Sequence, residues 1–255
     1  MRILLSNDDG INAPGLAILE GIARTLSDDV WVVAPETDQS GKGHSLSLHD
    51  PLRVRELGDR RYAVSGTPTD CVIMGVRQIL DAKPDLILSG INRGANVADD
   101  VTYSGTVACA MEGTILGIKS IALSQSYAAN DRTSFGWSPA ETHGRAIIER
   151  ILAIGIPPGV LMNVNFPAVP ADKVTGIEIT SQCTAVESLI DVEERIDARL
   201  NPYYWIRYRR SWDAPAENSD MWALANGAIS VTPLRLDLTD RAMLDALKAG
   251  FAEKK

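Results

Sequence analysis

Soft metal ligands are scarce in this chain, which holds three cysteines and three histidines among 255 residues. Cys71, Cys109 and Cys183 are odd in number, widely spaced and set in apolar or mixed contexts. They read as reduced thiols in or near the core, not as a disulfide framework. His44, His49 and His143 have no ligand spacing with any of them, so no zinc site is implied. Basic charge is also in short supply: 25 Lys and Arg against 33 Asp and Glu leave a formal net charge of -8. That balance excludes a protein that wraps polymeric DNA or RNA, because such binding rests on neutralising many phosphates. A small phosphorylated ligand is not excluded, since a metal supplies positive charge locally. The sequence shows no basic segment followed by an apolar stretch and a cleavage site, and no apolar run long enough to span a bilayer. A cytoplasmic protein with no membrane partner is expected. Internal repeats and low-complexity linkers are missing too, and the length suits one large α/β domain with a smaller appended element.

What is present is an alternation of short apolar runs with segments of helical periodicity through the first two thirds of the chain. That pattern predicts a Rossmann-like α/β fold, a mostly parallel sheet with helices on both faces. Strands are expected at 2–6, 30–34, 85–89 (Asp-Leu-Ile-Leu-Ser) and 120–124, with an antiparallel pair or edge insertion at 52–56 and 62–65. Helices are expected at 14–26, where Leu16, Leu19, Ile22, Ala23 and Leu26 share one face, and at 67–80, 105–116 and 138–154. Beyond Pro157 the regularity weakens. Strands are expected at 161–166, 176–181 and 229–233, a terminal amphipathic helix at 241–251, and a long irregular stretch from Gln182 to Ala216. The division drawn is a core over 1–181, an extended C-terminal β-hairpin or swapped arm over 182–216, and a strand and helix over 217–255 that return to the core. Tyr203, Tyr204, Trp205, Tyr208 and Trp212 lie within ten residues in the arm. They read as a subunit contact or as a base-stacking platform, and the aromatic enrichment of interfaces favours the contact.

In open α/β sheets ligands bind outside the carboxyl ends of the strands. After the first strand come Asn7, Asp8, Asp9 and Gly10; after the second, Pro35, Gln39, Ser40 and Gly41; after the Asp-Leu-Ile-Leu-Ser strand, Gly90, Ile91, Asn92, Arg93, Gly94 and Asn96. Two adjacent acids at a strand tip raise each other's pKa, and the usual remedy is a cation. Carboxylates, a hydroxyl and a carboxamide are hard ligands, suited to magnesium, manganese or calcium. The stretch Ser104-Gly105-Thr106 places an N-capping hydroxyl and a glycine at the start of an apolar helix, where free N–H groups and the dipole favour an anion. Taken alone it is an ordinary capped helix; beside the acid pair it gains weight as a phosphate cradle. The run 65–71 (Ser-Gly-Thr-Pro-Thr-Asp-Cys) is explained mostly by capping. Asn163 and Asn165 project to the same side of one strand and either pin a neighbouring loop or line the site.

These residues form ordered blocks: Asn-Asp-Asp-Gly at 7–10, Gln-Ser-Gly at 39–41, Ser-Gly-Thr-Pro-Thr-Asp-Cys-Val at 65–72, Ser-Gly-Ile-Asn-Arg-Gly-Ala-Asn at 89–96 and Tyr-Ser-Gly-Thr-Val at 103–107. Together with Ile-Ser-Val-Thr-Pro-Leu at 229–234 they resemble the SurE family of survival-protein nucleotidases nearly end to end. The resemblance implies a metal-dependent phosphatase, a 5'-nucleotidase, that hydrolyses nucleoside 5'- and 3'-monophosphates, with short-chain polyphosphate as a further substrate of some members. It implies one divalent ion per subunit, Mg2+ or Mn2+, held by Asp8, Asp9, Ser40 and Asn92. Asn96, Ser104, Gly105 and Thr106 would surround the substrate phosphate. It also implies a swapped C-terminal arm building a homodimer or homotetramer. The chain departs from the family at Glu36-Thr37-Asp38-Gln39, where members often carry a more basic loop, and at Asn218-Ser219-Asp220, where an acid-rich turn is common.

The chemistry expected is in-line attack of water on phosphorus, with Asp8 or Asp9 as the catalytic acids that orient or deprotonate it, and the start of the helix stabilising the equatorial oxygens. No histidine is evident as leaving-group acid. The rival mechanism is a covalent aspartyl-phosphate on Asp8. The rival class is a non-catalytic, metal-dependent nucleotide-binding module or a receiver-like domain, although receiver domains are shorter and use a lysine at a late strand tip, whereas Lys119 precedes its strand.

Overall fold

A computed structural model describes residues 1–127, 136–184, 190–208 and 215–252. In chain order the elements are β1 (Arg2–Ser6), α1 (Pro14–Arg24), β2 (Asp29–Pro35), β3 (Val54–Gly58), β4 (Arg61–Val64), α2 (Pro68–Met74), β5 (Leu86–Arg93), α3 (Asp100–Tyr103) and α4 (Gly105–Ile115). They continue with β6 (Lys119–Gln125), α5 (Ser138–Ile154), β7 (Val160–Phe166), β8 (Ile177–Ile179), β9 (Ile190–Ile196), β10 (Pro202–Tyr208), α6 (Asp220–Ala225), β11 (Ile229–Arg235) and α7 (Arg241–Phe251). Nine strands form one sheet in the order β3-β4-β2-β1-β5-β6-β7-β11-β8, and β9 and β10 form a separate antiparallel hairpin. The expected fold class, mostly parallel with helices on both faces and a hairpin besides, is the one observed. Among the described residues, antiparallel pairing within the large sheet is confined to β3 with β4 and β7 with β11.

The two-residue period of the strands divides the core. Ile3 and Leu5 of β1 and Leu86 and Leu88 of β5 pack with Leu16, Leu19 and Ile148 of α1 and α5. Leu4 and Ile87 point the other way and pack with Cys71, Val72 and Cys109 of α2 and α4. Such alternation of buried residues on both faces is what a doubly covered parallel sheet requires. Each fully buried Leu or Ile in these layers contributes roughly 1.5–3 kcal/mol relative to exposure. Cys71 and Cys109 are buried free thiols, Cys183 is half-buried, and burial pushes the Cys109 thiol up to about 12. Among the described residues no helix is long and apolar enough to cross a membrane.

Several bounds differ from the sequence expectation for local reasons. The helix expected over 67–80 is regular only to Met74 and continues as a wider turn over Gly75–Ile79. A side chain at Gly75 would sit 3.0 Å from Leu4 Cδ2, so the helix lies flat on the sheet there. The stretch 182–216, expected as an irregular arm or β-hairpin without strand bounds, contains the hairpin of β9 and β10; Trp212 lies outside the described residues. The short helices α3 and α6 lie where none was expected. The helix over 138–154 and the terminal helix over 241–251 have the bounds expected, and α7 buries none of its residues.

Candidate functional site

The chain runs from β1 to β2 on one side of the sheet and returns to place β5 on the other side of β1. The crevice above β1 and β5 is therefore the topological switch point, where open α/β sheets bind ligands. Asp8 and Asp9 follow β1 directly, and Asn92 lies at the end of β5, which continues past the expected Ser89 to Arg93. Between Ser89 and Asn92 the register of β5 against β6 shifts, and a bulge of this kind re-aims the side chain that follows it. Gly90 permits the shift: its φ is +133°, and a Cβ there would lie 2.3 Å from the Leu123 carbonyl oxygen.

Asp8 is buried with 4% exposure, pressed against the start of α4. The Thr106 hydroxyl donates to Asp8 Oδ1, and the Thr106 backbone N–H adds a second bond to the same carboxylate. Contact is closest at Gly105, where a Cβ would lie 2.7 Å from Asp8 Cβ and 2.9 Å from Pro68 Cγ. Gly105→Ala is accordingly expected to lower stability by about 1–3 kcal/mol in urea denaturation, the cost of overpacking, although alanine is the better helix former. An unchanged midpoint would show that Asp8 and α4 are not held in contact.

Asp9 is half-buried, and its Oδ2 accepts from Arg93 N at 3.1 Å, which joins the tips of β1 and β5. Burial pushes the Asp8 carboxyl above its ordinary value against the opposing Thr106 bonds. The Asp9 carboxyl is raised to about 6, by burial first and by the charge of Asp8 second. Asp38, which the sequence reading did not single out, adds to both shifts, and its Oδ1 accepts from Ser40 N at 2.7 Å. Three acids thus crowd one crevice.

Asn92 donates its Nδ2 to Gly94 O at 2.9 Å, so its Oδ1 is left for a ligand. Ser40 is exposed on the loop after β2, and that loop is tied to the acid pair through Gln39 N and Asp8 O at 2.8 Å. The structure places no direct side-chain contact between Ser40 and the two aspartates. Asn96 is buried and fixed from three sides: Asn165 Oδ1 accepts from its N–H, its carbonyl accepts from Asn163 Nδ2 and Asn165 Nδ2, and its Nδ2 donates to Ser124 Oγ at 2.9 Å. Asn163 and Asn165 therefore pin this loop, one of the two roles expected for them. Ser104 caps α4 by accepting from Val107 N at 3.0 Å, which leaves its hydroxyl proton to donate. The first N–H of α4, at Gly105, has no partner within the helix by construction. Thr106 differs from the expectation in one respect, since both its donors go to Asp8.

The donor set suits a hard divalent cation. Among the described residues no group of three or more His, Cys, Asp or Glu is set to hold a metal, so a cation here would need two carboxylates completed by neutral oxygens such as those of Ser40 and Asn92. Two adjacent carboxylates, one buried and one half-buried, held above their ordinary range are what an adjacent cation relieves. The hydroxyls of Ser6 and Ser89, at the ends of the apolar runs of β1 and β5, meet the buried Cys109 thiol, and Asn7 Oδ1 is buried without a hydrogen-bond partner among the described residues.

These features define an α/β protein with an acid-rich crevice at the switch point of a mostly parallel sheet. The chain belongs to the SurE family: the family model described as survival protein SurE matches residues 3–188. Among its relatives, the protein named 5'-nucleotidase SurE in Methylorubrum extorquens (strain PA1) is 60% identical over 252 residues, covering 98% of this chain and 99% of that one. The protein of the same name in Methylobacterium radiotolerans is 58% identical over 254 residues, 99% of this chain and 100% of the relative. The crystal structure of the SurE protein from Aquifex aeolicus superposes with a TM-score of 0.82 at 41% identity, covering 98% of this chain and 99% of that chain.

Proposed function

We propose that this chain is a metal-dependent phosphomonoesterase acting on nucleoside 5'- and 3'-monophosphates, with short-chain polyphosphate as a further substrate. The single observation that carries the reading is the placement of Asp8 at the switch point, buried against the first turn of α4 and beside Asp9. The high identity to proteins named 5'-nucleotidase SurE over nearly their full length supports the substrate class. Asp8, Asp9, Ser40 and Asn92 would hold one divalent ion, Mg2+ or Mn2+, which when bound supplies positive charge opposite the phosphoryl oxygens and acidifies a water.

The chain's own residues do the rest. Ser104 Oγ–H and the Gly105 N–H face the phosphate at the positive end of α4, and the rigidly held Asn96 loop closes its other side. Thr106 fixes the rotamer of Asp8, and Arg93 N fixes that of Asp9, whose Oδ1 remains to take the proton of the attacking water. An aspartyl-phosphate on Asp8 has less support, because that carboxylate is buried and engaged by Thr106.

The test is phosphate release from a panel of 5'- and 3'-nucleoside monophosphates and tripolyphosphate with Mn2+, with Mg2+ and after chelation. Metal-dependent release from the nucleotides is the expected result. Tight nucleotide binding without release in any arm would instead make the chain a binding module.

The assembly read is a homodimer or homotetramer built through β9 and β10. Its support is the apolar surface this hairpin presents, with Tyr204, Trp205, Ile206, Val192 and Ile196 all more than half exposed, a surface that interfaces cover. A cytoplasmic location is consistent with the free thiols.

A further inference from the structure

Ser40 reaches the site on a loop, residues 36–53, that has no regular element of its own between β2 and β3. Long irregular loops inside compact domains are uncommon and usually functional. Two sets of hydrogen bonds hold this one. On the near side Gln39 N donates to Asp8 O, and within the loop Ser40 N donates to Asp38 Oδ1. On the far side Gly43 N donates to Tyr103 O at 3.1 Å, Thr67 Oγ1 donates to Ser45 O at 2.8 Å, and Ser47 N donates to Asp70 Oδ1 at 3.1 Å. Ser40 to Lys42 arch between the two anchorages.

His44 belongs to the far set, and its Nε2 lies 3.0 Å from Glu112 Oε2. Glu112 is a carboxylate with 9% exposure on α4. Such a group is costly to bury without a partner. Seven residues separate it from Gly105, so it lies on the same face of the helix two turns on, about 10 Å from the turn that touches Asp8. The His44 ring therefore reaches down the helix and away from the acid pair. That direction removes it as a leaving-group acid and leaves it as an anchor.

We propose that the His44–Glu112 pair is a latch that fixes the 36–53 loop and so positions Ser40 for the divalent cation. The proposal rests on the cation site described under Proposed function. His44 and Glu112 are positioning residues and touch neither cation nor substrate. With the latch closed, the loop is ordered before the cation arrives; without it, the ordering entropy falls on the binding step and weakens it.

Binding of Mn2+ to the full chain, read from the electron paramagnetic resonance signal of the free ion, tests this. His44→Ala is expected to weaken Mn2+ affinity about tenfold, the range found for groups that orient metal ligands, with kcat at saturating Mn2+ unmoved. Glu112→Ala should weaken it as much, and the double variant no further, because both remove one latch. His44→Gln, whose amide N–H can still reach Glu112, should restore the affinity, and His49→Ala on the same exposed loop should leave it alone. A purely structural role would lower the melting temperature of His44→Ala and leave its Mn2+ affinity equal to that of the unmodified protein, and that result overturns the latch. Failure of the unmodified protein to bind Mn2+ removes the cation site itself, and the latch with it.

Discussion

Asp9→Asn is expected to lower kcat/KM for nucleoside monophosphates at least about a thousandfold, the several kcal/mol that a bound cation contributes to phosphoryl transfer, and at the same time to stabilise the metal-free protein at pH 7.5. The loss follows because asparagine keeps the hydrogen bond from Arg93 N but brings no charge to the cation. The gain follows from proton linkage. The folded carboxyl sits at about 6, above the ordinary 3.8, through burial and the neighbouring Asp8. A raised folded-state pKa means that the folded chain binds the proton more tightly than the unfolded one. Its contribution is fully present below the ordinary value and lost as pH rises through about 6. At pH 7.5 the ionised carboxyl therefore costs about 1–3 kcal/mol that asparagine does not, whereas below pH 4 the two proteins should be equally stable. Urea denaturation of both proteins in chelator at pH 7.5 and pH 3.5 measures the inversion, and phosphate release at saturating Mn2+ measures the loss. Retained activity would defeat the assignment of Asp9. A variant less stable at pH 7.5 than the unmodified protein would show that the acid pair carries no electrostatic strain.

Much of this arrangement is legible in the sequence because it is local. Strands buried on both faces read as continuous apolar runs; Asp8 and Asp9 stand just after β1, and Asn92 lies at the end of β5. Ser104 announces its helix as a cap and caps as expected, and in the 65–71 run, read as mostly capping, it is Thr67 that caps α2. What was illegible depends on contacts distant along the chain. Glu112 reads as an ordinary charge on a helix until His44 meets it from 68 positions away. Asp38 reads as a loop residue until β1 and β2 bring its charge to Asp8 and Asp9. The hairpin expected in the arm is present, but the bounds of its strands are not legible although Ile190, Val192 and Ile196 alternate, because acids at 191, 193 and 194 are poor strand formers and the ladder has no core to face. The helix α3 is a single turn, too short for any period to show.

Asp220 is the other residue whose weight only the fold reveals, and its removal should produce the largest loss of stability. Its carboxylate is fully buried and accepts three backbone bonds, from Ala98 N at 2.9 Å, Cys183 N at 2.9 Å and Met221 N at 2.8 Å. Those donors come from the loop that carries Asn96, from the segment leading to the hairpin and from α6. One side chain thus joins three parts of the chain behind the candidate phosphate site. Around it Ala95, Val97 and Ala98 pack with Met221 and Leu224, a small apolar cluster of their own. Asp220→Ala leaves three N–H groups without an acceptor in a place water does not reach, so the expected cost is about 3–5 kcal/mol. For a chain of this length that is a fall of roughly 6–20 °C in melting temperature. Asp220→Asn keeps one acceptor oxygen but turns an amide N–H toward a donor, and should fall between the two. Because Ala98 lies two residues from Asn96, the surviving folded fraction of Asp220→Ala should also bind nucleotide more weakly while its Mn2+ affinity, set on the other side of β5, is unchanged. A small shift in melting temperature would mean that the three segments are held by their apolar cluster alone, and equal losses in nucleotide and Mn2+ affinity would mean that the two halves of the site do not rest on separate supports.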